Sequence, residues 1–216
     1  APIISRLNHG EAKAVITANG TWRRGTPAPL KPVLDTALEQ APSVQHVVVV
    51  DRGGLSIETP MRAGRDHWWH DITAGKDGDI ATVEMPADAP AILLYTSGTT
   101  GEPKGCVWTQ IGFIGSMVTR DIIICCDFKP TDRFFFMSDM GWMVGAMTAC
   151  IPSFAGASLL VAEGTPDYPD TGRFWRLIQD HRVSYLGVSP TIVRSLMRYG
   201  EEVENYDLSG LRMTTS

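Results

Sequence analysis

Residues 95–105, Tyr-Thr-Ser-Gly-Thr-Thr-Gly-Glu-Pro-Lys-Gly, concentrate the groups in this chain best suited to hold an anion. Glycines let backbone N–H groups turn toward a phosphate and admit it closely, hydroxyls add donors, and Lys104 adds charge. A polar hairpin loop could use the same residue types without any ligand. The density of hydroxyls beside one lysine favours phosphate binding over that reading. A Walker A loop is disfavoured, because Lys104 follows Pro103 and precedes Gly105 instead of standing between a glycine and a Ser or Thr.

Other reactive residue types are less specific. His67 and His70 sit among acids in Arg65-Asp66-His67-Trp68-Trp69-His70-Asp71. With no cysteine or third histidine nearby, a structural role is favoured over a metal site, with the two tryptophans pinning a long connection onto the core. Cys106, Cys125, Cys126 and Cys150 show no Cys-x-x-Cys spacing, which suits reduced thiols in a cytoplasmic protein. A net charge of −5 without a lysine/arginine block argues against a nucleic-acid partner. Residues 140–162 carry no charge and are long enough to span a membrane. Gly141, Gly145, Pro152 and Gly156 point instead to a buried helix stopped by Pro152, with a strand following from Ala157, so no membrane contact is expected.

Rigid elements must position these groups. The 216 residues are ample for a real core. The pattern predicts a helix end over 3–13, a short strand over 14–17, and a turn at Asn19-Gly20, with Arg23, Arg24 and Gly25 in a polar connection. A helix over 31–40 takes Pro32 in its first turn. Residues 46–50 form a continuous apolar strand of the kind found in parallel sheets covered on both faces. Residues 51–90 read as a long connecting region. Strands over 91–96 and 105–109 flank the hydroxyl-rich loop, the first of them buried. A helical stripe covers 110–126. Strands over 133–137, 157–162, 183–188 and 211–214 alternate with helices over 173–181 and 190–199, the last capped by Ser189. This alternation predicts an α/β fold: a largely parallel sheet with helices on both faces. Ligands in such sheets bind at the carboxyl ends of strands. The loops at 95–105, 138–142, 163–167 and 189–191 all follow predicted strands and are expected to converge on one crevice.

Together these stretches resemble the adenylate-forming acyl-CoA synthetases, nearest the acetyl-CoA synthetase group. The 95–105 loop looks like that family's phosphate-loop signature, and Asp139-Met140-Gly141-Trp142 resembles its second, aromatic-bearing motif. Gly64-Arg65-Asp66-x-Trp68-Trp69-His70-Asp71 is similar to a segment of the acetyl-CoA synthetase branch. Pro190-Thr191 and Asp207-Leu208-Ser209-x-Leu211-Arg212 match further landmarks.

The resemblance implies a ligase in which a carboxylate attacks the α-phosphate of ATP, giving acyl-AMP and pyrophosphate, and coenzyme A then displaces AMP. ATP would enter with Mg2+, and acetate or another short carboxylate would be the acid. Such chemistry needs positioning and charge stabilisation more than a dedicated base. Thr96, Ser97, Gly98, Thr99, Thr100, Gly101 and Lys104 would grip the β- and γ-phosphates. Trp142, Met143 and Val144 would line the acyl pocket or pantetheine tunnel, although a core aromatic would serve equally for Trp142 taken alone. Arg52, Gly53 and Gly54 fall where the branch contacts the nucleotide end of coenzyme A; a solvated loop arginine is the plain alternative for Arg52.

Met143 and Val144 replace the smaller or hydroxyl-bearing pair typical of acetate enzymes, and Asp167 stands near a position that is often an amide. The family's Gly-Glu-Pro segment and its C-terminal domain with the adenylation lysine lie beyond the residues present. The expectation is therefore a partial N-terminal domain, inactive in isolation. The alternative is a non-catalytic module with weak nucleotide affinity and a tendency to self-associate through uncovered sheet edges.

Overall fold

A computed structural model describes residues 2–96, 104–138 and 141–216. The chain divides into two compact units, one of residues 1–84 with 95–105 and the other of 85–94 with 106–216.

In the first unit, helix α1 (Pro2–His9) leads into strand β1 (Ala14–Ala18). A hairpin of β2 (Gly20–Arg23) and β3 (Thr26–Pro29) follows. The polar connection expected at Arg23, Arg24 and Gly25 is thus the tip of an antiparallel ribbon. Arg24 and Gly25 take φ of 47° and 79°, the paired positive values that suit a tight hairpin turn. Helix α2 (Lys31–Leu38) has Pro32 in its first turn, as expected. Strand β4 (His46–Val50) pairs in parallel with β1, and β5 (Asp66–Trp68) pairs in parallel with β4. Helix α3 (Trp69–Thr73) follows directly. The segment 51–90 therefore contributes a strand and a short helix.

Val47 and Val49 are fully buried against Leu34, Leu38 and Ala41. The opposite face is less covered than the apolar run implied: Val48 and Val50 are half-buried, and Ile16 of β1 is 67% exposed. Trp68 packs on this core, whereas Trp69 is largely exposed, so one tryptophan of the pair does the pinning.

Among the described residues, strands β6 (Pro90–Thr96) and β7 (Lys104–Thr109) pair only with each other, as a separate two-stranded ribbon. The buried strand expected over 91–96 is instead partly exposed. Ile92 and Trp108 of the ribbon pack against the cluster of Phe113, Met117 and Val118, whereas Leu93 and Val107 remain exposed.

The second unit is built on a four-stranded parallel sheet in the order β11-β10-β8-β9. Its strands are β8 (Arg133–Phe136), β9 (Ser158–Leu160), β10 (Tyr185–Gly187) and β11 (Met213–Thr215). Side chains alternate across a strand. Phe134 and Tyr185 accordingly enter one core with Phe113, Met117, Val118 and Ile151. Phe135 and Leu186 enter another with Phe174, Ile178 and Leu196. These partners come from the helix Ile111–Cys125 and α4 (Met143–Ala155) on one face, and from α5 (Arg173–Asp180) and α6 (Pro190–Met197) on the other. Helices cover both faces, as the alternation predicted, and the parallel strands divide between two sheets.

Two helices depart from expectation. Ile111–Cys125 is wound as a π-helix, and the Thr119 hydroxyl donates five residues back to the Ile114 carbonyl at 2.8 Å. In α4, Pro152 does not end the helix. Its ring removes one N–H donor, but its own carbonyl still accepts, from Ala157 N at 2.8 Å. The helix runs on to Ala155 and is closed by Gly156 in the left-handed conformation, φ 73°.

Candidate functional site

The carboxyl ends of the strands are where ligand contacts are expected, and in the second unit the described residues of three of the four anticipated loops leave from there. Residues 138–142 follow β8, 163–167 come after β9, and 189–191 follow β10 of one parallel sheet. The fourth loop follows β6, which belongs to the separate ribbon. Its residues Ser97, Gly98, Thr99, Thr100 and Gly101 lie outside the described residues, as do Asp139 and Met140. Its flanks are described: Thr96 ends β6 and Lys104 opens β7, both exposed. Next to Thr96, the Tyr95 hydroxyl pairs with His9 Nδ1 at 2.7 Å, and the Arg6 guanidinium lies 5.9 Å from the Tyr95 ring centroid. Helix α1 thus fixes the strand end that leads into the loop.

Met143 and Val144 open α4 and line an apolar cavity of about 210 Å3, together with Phe136, Met147, Tyr185 and Thr215. Trp142, the residue before the helix, is 60% exposed and stands outside that lining. The Tyr185 hydroxyl is buried without a hydrogen-bond partner of good geometry among the described residues. Burial pushes its phenol pKa up, and Cys126 adds to the shift while Thr215 opposes it. The group at this wall of the cavity is a neutral phenol.

Arg52, Gly53 and Gly54 leave the carboxyl end of β4. Gly53 and Gly54 have φ of 58° and 65°, a conformation that explains glycine at both positions. Two backbone donors of this loop are engaged internally. Arg52 N–H donates to Asn19 Oδ1 at 3.1 Å, and Gly53 N–H donates to Asp51 Oδ1 at 2.9 Å. Cationic contact with a ligand here would come from the exposed Arg52 side chain more than from these N–H groups. Asn19 is the residue that sequence reasoning missed: Asn-Gly reads as a turn. Its place at the carboxyl end of a predicted strand was the available signal.

Two sequence landmarks prove to be clamps at the opposite, amino ends. Asp66 opens β5, and its fully shielded carboxylate meets Lys31 Nζ at 2.7 Å and Arg65 Nε at 2.5 Å. Burial alone would raise the Asp66 pKa; the Arg65 guanidinium, the Arg62 N–H and Lys31 outweigh it and hold the carboxyl well below its usual range. In the second unit Asp132, Ser184 and Arg212 each immediately precede a strand. Ser184 Oγ donates to Asp132 Oδ1 at 2.7 Å, and Arg212 Nη2 meets Asp132 Oδ2 at 2.6 Å. Parallel strands place these three residues side by side, so their hydrogen bonds tie β8, β10 and β11 together.

His67 tilts against His46 at 5.8 Å, and His70 stacks on Trp68 at 5.7 Å. Among the described residues no group of three His, Cys, Asp or Glu side chains could hold a metal. None of the described helices is long and apolar enough to cross a membrane.

Comparison with known proteins agrees with the motifs. An acetyl-coenzyme A synthetase of Pasteurella multocida is 42% identical over 98% of this chain and 32% of its own length. An acetyl-coenzyme A synthetase of Methanothrix thermoacetophila is 40% identical, again over 98% of this chain and 32% of its own length. The chain thus spans about a third of the length of the curated relatives it matches. Among solved structures, acetoacetyl-CoA synthetase from Streptomyces lividans superposes with a TM-score of 0.85 at 26% identity, covering 99% of this chain and 32% of that one. The family model described as AMP-binding enzyme matches residues 3–216, nearly the whole sequence, and the chain belongs to that family.

Proposed function

We propose that these residues are the part of an acyl-CoA synthetase that receives the acyl group and the ATP phosphates. The reaction joins a short carboxylate to coenzyme A through an acyl-adenylate, with release of pyrophosphate and AMP. The observation that carries this reading is the apolar cavity between α4 and the face of the second unit's sheet, bordered by Met143 and Val144, which runs from Phe134 and Tyr185 to the carboxyl ends of β8 and β11 at Phe136 and Thr215. A cavity of that kind suits the hydrocarbon end of an acid. Lys104 and the hydroxyls of 96–100 would neutralise and orient the phosphates. Mg2+ fits as a companion of the ATP phosphates, since the described residues hold no ready-made carboxylate cage and magnesium commonly binds through substrate phosphate. Arg52 would meet the anionic nucleotide end of coenzyme A.

A chain that carries this segment at the length of its relatives should exchange pyrophosphate into ATP in the presence of acetate and magnesium. Lys104→Ala should lower that exchange by about tenfold or more, as loss of a phosphate-binding charge does. Exchange unaffected by Lys104→Ala would sink the assignment of the phosphate loop. The 216 residues alone are expected to release no AMP or pyrophosphate above background, because the relatives supply about three times as much chain.

The second reading, a self-associating module, draws on an apolar groove of about 340 Å3 between α5, α6 and β11, bordered by Val193 and the exposed Met197. Sedimentation decides it: a strict monomer at all concentrations argues against association.

A further inference from the structure

Four residues lining the cavity beneath α4 carry hydroxyls: Thr148, Tyr185, Thr215 and Ser216. Thr148 has spent its donor, which goes to the Val144 carbonyl at 2.7 Å within the helix. Thr215 is half-buried and Ser216 exposed, so both stand nearer to water. Tyr185 is 1% exposed, and its ring is gripped edge-on by Phe128 and Phe134, with centroids 5.0 and 5.5 Å away. Its hydroxyl is the one fully buried side-chain oxygen of this lining that lacks a hydrogen-bond partner among the described residues. The Cys126 thiol and the Thr215 hydroxyl flank it closely enough to move its proton affinity in opposite directions, yet neither meets it with good geometry. Burial keeps the phenol protonated, and a buried tyrosine hydroxyl ordinarily finds an acceptor. The ring belongs to the core, whereas the hydroxyl has no structural use there.

We propose that Tyr185 determines which acid is taken: its hydroxyl donates a hydrogen bond to a carbonyl or hydroxyl oxygen on the acyl chain, so that short oxo or hydroxy acids are preferred over plain hydrocarbon ones. The proposal rests on the reading of this cavity as the acyl pocket. Its volume is about 210 Å3. A water molecule takes about 30 Å3 in the liquid, and a methyl group is of similar size, so the methyl of acetate leaves most of the space for a longer chain. Ligands approach a parallel sheet from the carboxyl ends of its strands. Tyr185 opens β10, so it stands toward the inner end of the cavity, where the tail of the acid would lie. Water that enters such a cavity can satisfy the phenol, and an incoming acyl chain displaces it. A chain oxygen replaces the lost hydrogen bond, whereas a hydrocarbon chain leaves the donor buried and unpaired. Pockets built around a hydrogen-bonding group discriminate far more steeply than apolar pockets that merely measure a methylene.

The test compares 3-oxobutyrate, 3-hydroxybutyrate and butyrate, acids of equal chain length that differ at a single carbon. The readout is pyrophosphate exchange into ATP by a chain that carries this segment at the length of its relatives. At least one oxygen-bearing acid is expected to exceed butyrate in kcat/KM by about tenfold or more, and which of them does so tells carbonyl from hydroxyl. Tyr185→Phe keeps the ring and removes only its oxygen. It should lower kcat/KM for the favoured acid about tenfold, mainly through KM, and raise it for butyrate, so that the preference disappears. Butyrate used as well as both oxygen-bearing acids overturns the proposal, whether or not the variant folds. A preference that survives Tyr185→Phe overturns it as well, as does exchange with acetate but with none of the three longer acids. In each of these cases the acyl-CoA synthetase reading stands. Exchange with no acid at all removes that reading, and the proposal falls with it.

Discussion

Lys31 Nζ and Asp66 Oδ2 lie 2.7 Å apart with both side chains shut off from solvent. Lys31 begins α2 and Asp66 begins β5, so this contact locks the third strand of the first sheet to the helix packed beneath it. Asp35 and the Pro60 carbonyl, at 2.7 and 3.0 Å, take up further donors of the ammonium. Desolvation makes such a pair a weak net source of stability, yet removing one partner strands the other charge. Lys31→Met should therefore destabilise the protein by about 3–5 kcal/mol in chemical denaturation. A loss below about 1 kcal/mol would mean that water reaches Asp66.

The same carboxylate sets an acid limit. Its folded pKa lies below the unfolded value of about 3.9. Its contribution is therefore complete above that value and is lost as pH falls toward the folded one. The melting temperature should drop on acidification from about pH 5 downward, and Asp66→Asn should flatten that drop. An acid limb equally steep in Asp66→Asn would assign it to other carboxylates, among them Asp132, whose burial is likewise outweighed by Arg212 and Ser184.

Gly187 makes room for a ring. A Cβ there would stand 1.8 Å from Phe136 Cδ2, so alanine forces the ring to move. Gly187→Ala should cost about 1–3 kcal/mol, as overpacking does. Combined with Phe136→Leu, the loss should fall short of the sum of the single effects by about 1 kcal/mol. Strict additivity in thermal melts would deny the contact.

Ser189 was expected to cap α6, and its hydroxyl accepts from Ile192 N at 3.4 Å. At that length Ser189→Ala should cost about 0.5–1 kcal/mol, the lower part of the usual range for a lost cap. No change in the denaturation midpoint would leave capping to Pro190 alone.

Val144 tests the acyl cavity. Val144→Phe should fill part of the 210 Å3 space. In a chain of full family length, kcat/KM for butyrate should then fall about tenfold more than for acetate, since a methylene or two is worth that much in an apolar pocket. Equal losses for both acids would place the acyl chain elsewhere.

The strand at His46–Val50 was legible because a continuous run of valines has few other uses, and α6 was legible from Ser-Pro before an apolar face. The three-residue strand at Asp66–Trp68 was not: it opens with an acid, and only pairing with Lys31 and Arg65 makes that acid tolerable inside. Pro152 misled because a proline removes one hydrogen bond, whereas packing of the whole helix decides where the helix ends. Asn19 looked like a turn residue, and its hydrogen bonds reach 33 residues along the chain to Arg52.

By itself the sequence determined the family and the α/β alternation, because glycine, hydroxyl and lysine in one loop and apolar periodicity in the flanking elements are local signals. Tertiary structure alone decided that the parallel strands split into two sheets. It also decided that the Arg65-Asp66 and Leu211-Arg212 landmarks clamp the amino ends of strands, while Met143, Val144, Asn19 and Arg52 stand at carboxyl ends. The reason is physical: charge pairing and strand direction are relations between distant residues, and a buried ion pair becomes worth its desolvation only when the fold brings both partners together.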